Sequence, residues 1–373
     1  MYGSTVIRRM RRRSMSDYRR FIHQGRRSIP TPDNLVDAQG RAVFGTFQSE
    51  FPQMDLTRAK HPTRLPDFMN KSKLTLWQAC EIHLQEGVLL AALSDMGLFG
   101  KIICLFWDRR SNRLLSFEST LSSQDTIIAP CLMNGAIAYA HAKDASIRFC
   151  NSLEKGQCRL DGRHSGKDGR VYYEMELTRI SAPSIVSIPF GDNRPLYTEK
   201  IFLKAKGTLT INGETLHTDG ASVAIIDDHR GYYPYRMHYD WVTTMGRCPV
   251  NGREQFFAFN LTRNQSIDQE RYNENLIWFD DHTSLLPPVH FTRAVPSREA
   301  DGTNTWQVRD DHDMVCVDFH VQNQHGIEVE ALAVQVHYYI AWGVLSGYVR
   351  DEDGVRIPLD CMMGLGEDKS MSL

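Results

Sequence analysis

The residues best suited to carry chemistry lie between Asp227 and Trp241. This short segment holds adjacent carboxylates, two imidazoles, two guanidiniums and five aromatic rings. A carboxylate beside a histidine can orient the imidazole and tune its pKa, which gives a general acid–base unit. Aromatic rings around that unit lower the local dielectric and raise the pKa of a carboxyl group, so that it can donate a proton near neutral pH. On composition alone, the alternative is a turn with surface charges at 227–231.

Within this segment we expect Asp228 to be the acid. His229 would orient it or take a proton from an intermediate. Protonation of an alkene leaves a cation, and the faces of aromatic rings stabilise cations. The rings expected to do so are Tyr232, Tyr235 and Trp241.

Other polar and aromatic residues are candidates for the same pocket. Their alternatives are a solvated loop for Glu274, a surface ion pair for Lys200 and a turn cap for Asn260. Asp240 alternates with Trp241 along the chain, so on a strand only one of the two can face a given cavity. The further catalytic candidates are Asp240 and Glu274, and the further substrate-binding candidates are Tyr197, Lys200, Arg230, His238, Asn260, Asn275 and Trp278.

Several other kinds of site find no support in the sequence. The fourteen histidines include no H-E-x-x-H or H-x-H pattern, so we expect no metal site. Neither a G-x-S-x-G nucleophile elbow nor a phosphate-binding P-loop is present. We therefore expect a protein without a cofactor. A glycosidase would need paired carboxylates across a groove, and Asp228 with Glu274 is the pair that could serve.

Charge is distributed unevenly along the 373 residues. Residues 1–30 contain nine arginines and one acid, whereas the rest of the chain has 34 basic and 44 acidic residues. We expect residues 1–30 to be a poorly ordered basic arm, with weak contact to a membrane surface as one possible use. The acidic remainder gives no support for nucleic-acid binding, which relies on clustered Lys and Arg.

The cysteines and the apolar runs bear on the compartment. None of the eight cysteines forms C-x-x-C, and several stand in apolar strand-like stretches, as free thiols do in a reducing compartment. The most apolar stretch, residues 88–107, is too interrupted to span a bilayer. The arm lacks the apolar core of a secretory signal. We expect a cytoplasmic protein.

Turn signals and alternation predict a chain composed mostly of β-strands. Asn212-Gly213 stands between alternating residues, which is the strongest short-range hairpin signal. Val315, Val317, Phe319 and Val321 would share one face of a strand. Residues 75–93 fit a helix or strands equally well. We place a domain boundary near residue 225, between an N-terminal unit at 31–225 and a C-terminal unit at 226–373.

Short phrases scattered along the chain resemble one bacterial family, domain of unknown function 2804. The main phrase runs from Asp227 to Tyr235 and is followed by Asp240-Trp241. The other matching pieces are 35–40 with Gly45, 197–200, 260–265, 274–278 and 342–347. That family is more distantly similar to carotenoid hydratase (hydroxyneurosporene synthase) and AttH-like proteins, which have an Asp-His-x-x-Gly phrase followed by a tryptophan-rich strand.

The resemblance implies an all-β fold of two consecutive lipocalin-like (calycin-type) antiparallel β-barrels. It also implies acid-assisted hydration, isomerisation or cyclisation of a hydrophobic, unsaturated substrate such as a terpenoid or polyene. We expect the site where the two barrels meet, because domain interfaces favour pockets. The alternative function is a non-catalytic carrier of a hydrophobic small molecule, which needs an apolar lining with few polar anchors. The sequence does not define the oligomeric state.

Overall fold

A computed structural model describes residues 26–250, 252–280, 282–299, 304–331 and 334–372. The predicted basic arm lies outside the described residues except for its last five positions. Of these, Ser28 and Ile29 form a short strand, and the Arg26 side chain is buried. Within the described residues, no helix is both long and apolar enough to cross a membrane.

The first half of the described chain forms one sheet of fifteen strands. Its strands are β1 (Ser28–Ile29), β2 (Gly45–Phe47), β3 (Thr75–Leu84), β4 (Gly87–Asp95), β5 (Phe99–Asp108), β6 (Arg113–Ser122), β7 (Thr126–Ile127), β8 (Ile137–His141), β9 (Ala145–Ser152), β10 (Gln157–Gly166), β11 (Gly169–Arg179), β12 (Ser184–Pro189), β13 (Pro195–Ile211), β14 (Glu214–His217) and β15 (Val223–Gly231).

The second half forms a separate sheet of ten strands. These are β16 (Arg236–Val250), β17 (Arg253–Arg263), β18 (Leu276–Trp278), β19 (Thr283–Leu285), β20 (His290–Arg293), β21 (Thr305–Arg309), β22 (Val315–Ala331), β23 (Val334–Arg350), β24 (Arg356–Pro358) and β25 (Met363–Ser372). The described helices are short: α1 (Asn70–Lys73) and the 3-10 turns Leu56–Arg58, Asp67–Met69, Ser123–Asp125, Leu153–Lys155 and Ser297–Glu299.

Each sheet curls around a core of its own. The main path of the first sheet is β6-β5-β4-β3-β15-β13-β11-β10-β9-β8-β7, and one buried cluster joins Phe117 of β6 to Ala138 of β8 near the opposite end. The second sheet runs β19-β18-β17-β16-β25-β23-β22-β21-β20, and its core likewise joins Ile277 of β18 to Trp306 of β21. The predicted all-β fold of two consecutive lipocalin-like antiparallel barrels is confirmed.

Local sequence signals account for several of these strands. Asn212 and Gly213 both have positive φ, 51° and 93°, and join β13 to β14 as the turn between two paired strands requires. Residues 75–93, which fitted helix or strand, form β3 and most of β4. The predicted shared face of β22 is confirmed, since its four apolar residues at 315, 317, 319 and 321 all belong to the second core.

The two barrels pack against each other through their outer faces. Side chains alternate along a strand, so residues that flank an inward-pointing position point outwards. On β15, Ala224 and Ile226 belong to the core of the first barrel, whereas Ile225 packs with Trp278 of the second sheet. A further apolar cluster joins Leu90 and Trp107 to Trp241 and Trp342.

The chain passes from one sheet to the other between Gly231 and Arg236. The predicted boundary near residue 225 stays a prediction, and β15 pairs within the first sheet along its whole length. The strands on either side of the crossing, β15 and β16, carry most of the segment that the sequence singled out.

The core of the first barrel can be tested with two isoleucines on neighbouring strands. Ile147 on β9 is 1% exposed within the core, whereas Ile137 on β8 is 51% exposed. We expect Ile147→Ala to lower the free energy of unfolding by about 2–5 kcal/mol, because it removes buried methyl groups and leaves a cavity. Ile137→Ala should change it by less than about 0.5 kcal/mol. Denaturant unfolding followed by circular dichroism measures both, and equal losses would contradict the inward assignment of β9.

Candidate active site between the barrels

A cavity of about 350 Å³ lies between the outer faces of the two barrels. Its volume falls in the range of pockets that hold small molecules. Most of the wall is apolar, and two groups of ionisable side chains interrupt it. The apolar wall includes Trp77, Leu90 and Ile103 from the first barrel, and Trp241, Ile327 and Met371 from the second.

One group of ionisable residues is centred on the buried ammonium of Lys200. Its Nζ atom donates to Asp227 Oδ1 at 2.7 Å and pairs with Glu274 Oε2 at 2.9 Å. The same nitrogen lies 2.9 Å from His229 Nε2. Lys200 and Asp227 are paired residues on β13 and β15, while Glu274 comes from the loop before β18, so the cluster spans both halves of the chain.

The opposite charges in this cluster offset the cost of burying each ionised group. Desolvation opposes charge on Lys200, but the Asp227 and Glu274 carboxylates outweigh it and raise the pKa of the ammonium. Burial likewise opposes charge on Glu274, yet Lys200 and His229 lower the pKa of that carboxyl well below its ordinary value. Glu274 also accepts a bond of 2.8 Å from Thr198 Oγ1. Lys200 and Glu274 therefore stabilise each other's charged forms in a buried place.

All four members of the cluster line the cavity, and His229 is the most exposed of them. Its side chain is 22% exposed, against 2% for Lys200 and 3% for Glu274. Its Nε2 atom lies 3.3 Å from Asp227 Oδ1. Two carboxylates face one ammonium, so the cluster carries one negative charge when the imidazole is neutral and is balanced when it is protonated. Because an ammonium can only donate, His229 Nε2 accepts the hydrogen bond from Lys200 in this arrangement.

Asn260 connects the cluster to the aromatic wall. Its side-chain oxygen accepts a bond of 2.6 Å from Trp241 Nε1, and its amide nitrogen donates to the Glu274 carbonyl at 2.8 Å. The Trp241 ring centroid lies 5.7 Å from Lys200 Nζ. Asn260 thus fixes the indole and the backbone of Glu274 at the same time, without lining the cavity itself.

A second polar group lies on the wall formed by the second barrel. The buried Glu367 of β25 accepts hydrogen bonds from Tyr338 at 2.6 Å and from Tyr239 at 2.7 Å. Burial raises the pKa of Glu367, and the two phenol donors only partly oppose this. Lys369 stands two residues further along β25 and lines the same cavity. Burial lowers the pKa of its ammonium.

Asp228, the expected acid, lies on the opposite face of β15. Arg230 holds both of its oxygens, with Nε to Oδ2 at 2.7 Å and an NH2 contact to Oδ1 at 3.0 Å. Burial raises the pKa of Asp228, as expected for a sheltered carboxyl, although Arg230 opposes this. Side chains alternate along a strand, so Asp228 and His229 cannot face the same cavity. The carboxylate that lies beside His229 is therefore that of Asp227, not that of Asp228.

The inner face of β15 belongs to a second polar region. Arg230 donates to the carbonyls of Ala129 and Pro130, and lines a cavity of about 780 Å³ with Glu50. Tyr197 lies on the same side, where its hydroxyl donates to Glu199 at 2.7 Å. Neither Tyr197 nor Arg230 lines the cavity between the barrels.

Four other candidates serve packing or lie on the surface. Tyr232 is buried in an apolar cluster and donates to the Leu56 carbonyl at 3.1 Å, and Tyr235 is 59% exposed. Trp278 fills the contact between the barrels without lining the cavity. Asn275 ties loops together, because it accepts from the Thr262 backbone nitrogen and donates to a proline carbonyl. The two tyrosines are thus absent from the wall where cation-stabilising rings were expected.

Asp240 and His238 lie at the edge of the second barrel. His238 lines the cavity and contacts Asp240 at 3.1 Å, and its Nδ1 atom lies 3.7 Å from Asp368. This trio has the spacing of metal ligands. Arg293, however, pairs with Asp240 at 2.6 Å and approaches Asp368 at 3.7 Å, so a guanidinium already supplies the positive charge.

Some of the candidate residues line the cavity and others do not. Lys200, His229, His238, Trp241 and Glu274 line the cavity. The sequence alone is enough to predict that Asp227 lies beside His229, because residues two apart on a strand share a face. Local signals do not single out Tyr239, Tyr338, Glu367 and Lys369, because they come together only when β16, β23 and β25 pair.

Comparison with known proteins identifies the family of the chain. The chain belongs to the family described as domain of unknown function (DUF2804), whose profile matches residues 26–372. The family expected from the sequence is thereby confirmed. A search of curated proteins found no match.

Among solved structures, the chain is similar to proteins of low sequence identity. Kievitone hydratase from Nectria haematococca is 13% identical, with 79% of this chain and 88% of that chain covered and a TM-score of 0.47. CghA with Sch210972 is 7% identical, with 81% and 89% covered and a TM-score of 0.49. A putative AttH from Nitrosomonas europaea is 11% identical, with 80% and 93% covered and a TM-score of 0.43.

The Lys200 cluster predicts a large effect of removing its cation. Lys200→Met leaves Asp227 and Glu274 buried without their shared partner, and we expect a loss of about 3–5 kcal/mol in the free energy of unfolding. Lys206→Met on the same strand, at an exposed position, is the matched control and should change it by less than about 0.5 kcal/mol. Denaturant titration of both variants decides this, and similar stabilities would mean that the cluster is hydrated.

Glu367 predicts a pH-dependent effect on stability. Its folded-state pKa is raised, so the stability linked to its proton is present at acid pH and is lost as pH rises through that value. Glu367→Gln resembles the protonated form. We therefore expect it to match the wild type near pH 4, below the ordinary glutamate pKa of 4.5, and to unfold at higher denaturant concentration than the wild type at pH 8.

Glu118→Gln provides a comparison of opposite sign. Although burial opposes it, contacts with His325 and Lys101 lower the pKa of Glu118 to about 2. This carboxylate stabilises the fold above its unfolded pKa, and the stabilisation is lost only as pH falls towards about 2. Glu118→Gln should thus be less stable than the wild type at both pH 5 and pH 8. If the two variants shift in the same direction at pH 8, the burial assigned to Glu367 is wrong.

Proposed function

We propose that the cavity between the barrels is the active site of a cofactor-independent acid–base enzyme. The reaction is of the hydro-lyase or isomerase type, and the substrate is a lipophilic, unsaturated small molecule. One observation carries the proposal. The His229 imidazole lines a mainly apolar cavity and contacts the buried Lys200 ammonium, which is paired with the carboxylates of Asp227 and Glu274.

In this proposal His229 transfers the proton. As imidazolium it donates to one carbon of a substrate double bond, and the positive charge develops on the adjoining carbon. Water, as in a hydratase, then bonds to that carbon and releases a proton. In an isomerase, the substrate instead loses a proton from a neighbouring carbon. The faces of Trp77 and Trp241, which line the cavity, are suited to stabilise the intermediate cation.

The residues around His229 have positioning roles. Lys200 holds Asp227 and Glu274, and these carboxylates balance the charge of the imidazolium. Glu367, with its raised pKa, is a second titratable group facing the same cavity and is suited to receive the proton that leaves. Asp228 has no part in the reaction, because Arg230 occupies both of its oxygens.

A carrier of a hydrophobic molecule is the second candidate, and the mainly apolar wall favours it. A carrier needs one or two polar anchors. The cavity has instead two groups of ionisable residues, and burying them costs stability that binding alone does not require. That surplus of buried charge is the reason to prefer an enzyme.

The test is proton transfer to carbon in deuterium oxide. The protein is incubated with a conjugated polyene, an enone and a terpenoid alkene, and mass spectrometry measures deuterium bound to carbon. We expect incorporation into at least one class, and His229→Gln should reduce its rate by about 10²–10⁴-fold. His217→Gln is the matched control, because His217 is exposed at the end of β14.

Two outcomes would contradict the proposal. Equal rates in His229→Gln and the wild type would remove His229 from the mechanism. Tight binding of a compound class without deuterium uptake in any of them would favour the carrier.

A further inference from the structure

Lys369 is a cation without a hydrogen-bond acceptor inside the cavity. Its Nζ atom lies 4.6 Å from the ring centroid of Tyr338, 5.9 Å from that of Tyr239 and 6.0 Å from that of Trp77. An ammonium has three donor hydrogens, and aromatic faces satisfy its charge but not its directional bonds. Among the residues that the structure describes, none accepts a hydrogen bond from this ammonium.

The nearest carboxylate along the strand is already engaged. Glu367 accepts one phenol hydrogen bond on each of its two oxygens, from Tyr338 and Tyr239. Within the described residues, no ion pair joins Glu367 to Lys369. The same tyrosines that donate to the carboxylate present their ring faces to the ammonium.

Lys369 lines the cavity and is partly exposed. The residue is partly exposed in its own right, yet burial lowers the pKa of its ammonium. The two observations agree if the exposed part faces an enclosed space and not bulk water. Lys101 lines the same cavity, but Glu118 neutralises it in an ion pair. Lys73 also lines the cavity, but it is exposed to solvent. Among the described residues, Lys369 is therefore the partly buried lysine of this cavity that has no carboxylate partner.

We propose that the ligand of this cavity is a lipophilic anion whose acidic head group, a carboxylate or an enolate, pairs with Lys369. Its apolar body extends along the apolar wall towards His229. This inference rests on the proposed function for the meaning of the site, but it concerns binding and is tested without turnover. Pairing of a buried ammonium with an anion supplies the missing acceptor and is a charge-assisted hydrogen bond.

Two dyes that differ in one anionic group test the inference. The anion is 1-anilinonaphthalene-8-sulfonate, and the neutral probe is N-phenyl-1-naphthylamine, which has the same rings without the sulfonate. Fluorescence titration of the full chain gives a dissociation constant for each. We expect the wild type to bind both probes, and the anion more tightly. Lys369→Met should weaken binding of the anion about tenfold or more and leave binding of the neutral dye within about twofold.

Lys101→Met is the matched control, since it removes a paired lysine from the same cavity. Made in a Glu118→Gln background, so that no carboxylate is left unpaired, it should weaken binding of the anion by less than about threefold, because the ion pair that is removed has no net charge. Lys369→Gln, which keeps a polar side chain, replaces the methionine variant if that variant fails to fold by circular dichroism. An equal effect of Lys101→Met and Lys369→Met on the anion would overturn the inference.

The remaining outcomes also decide the matter. If the wild type does not bind the anion, or if Lys369→Met binds it as well as the wild type does, Lys369 is not an anion anchor. Loss of both dyes in Lys369→Met would mean a collapsed cavity, and so would also refute a specific role. If the anion requires Lys369 but no compound takes up deuterium, the inference stands and the proposed enzymatic function fails.

Discussion

The two-residue period of β-strands organises this molecule. Each barrel needs one face of its strands for its own core, and the other face remains for contact with water or with the second barrel. Because β3, β4, β13 and β15 are apolar on both faces, the first barrel can bury its outer surface against β16, β23 and β25. The cavity lies where this second layer of packing is incomplete, and the strand residues that line it owe their direction to the alternation of side chains along each strand.

Buried charge is the second constraint. Lys200 brings two carboxylates together in a place where an unpaired ion would shift its protonation state instead. The three charges are acceptable because the strand register of β13 and β15 sets Lys200 opposite Asp227 and because Glu274 arrives from the other half of the chain. Hydrogen bonds from Thr198 and Asn260 then restrain the loop that carries Glu274. Replacing such a buried ion cluster with apolar residues of similar volume is often neutral or stabilising, so the stability of the interface does not by itself account for these charges.

How far the sequence predicts this arrangement depends on the range of each signal. The turn at Asn212-Gly213 and the alternation of β22 are local, and both predictions are confirmed. The composition around His229 is unusual enough to single out this segment, but composition alone does not show which side chains share a face of the strand. The same argument that separates Asp240 from Trp241 separates Asp228 from His229. Glu367 and Lys369 lie far along the chain in an ordinary charged stretch, and only the pairing of β25 with β16 and β23 brings them to the cavity.

The position of the cavity, in the contact (the seam) between the two barrels, has a thermodynamic consequence. Each barrel has a core of its own, and either could lose its structure while the other persists. An occupant of the seam would contact Lys200 and His229 on one side and Trp241 and Lys369 on the other. It can bind only when both halves are folded and docked, so its binding energy is added to their association. A filled seam would therefore make two separable melting units behave as one cooperative block.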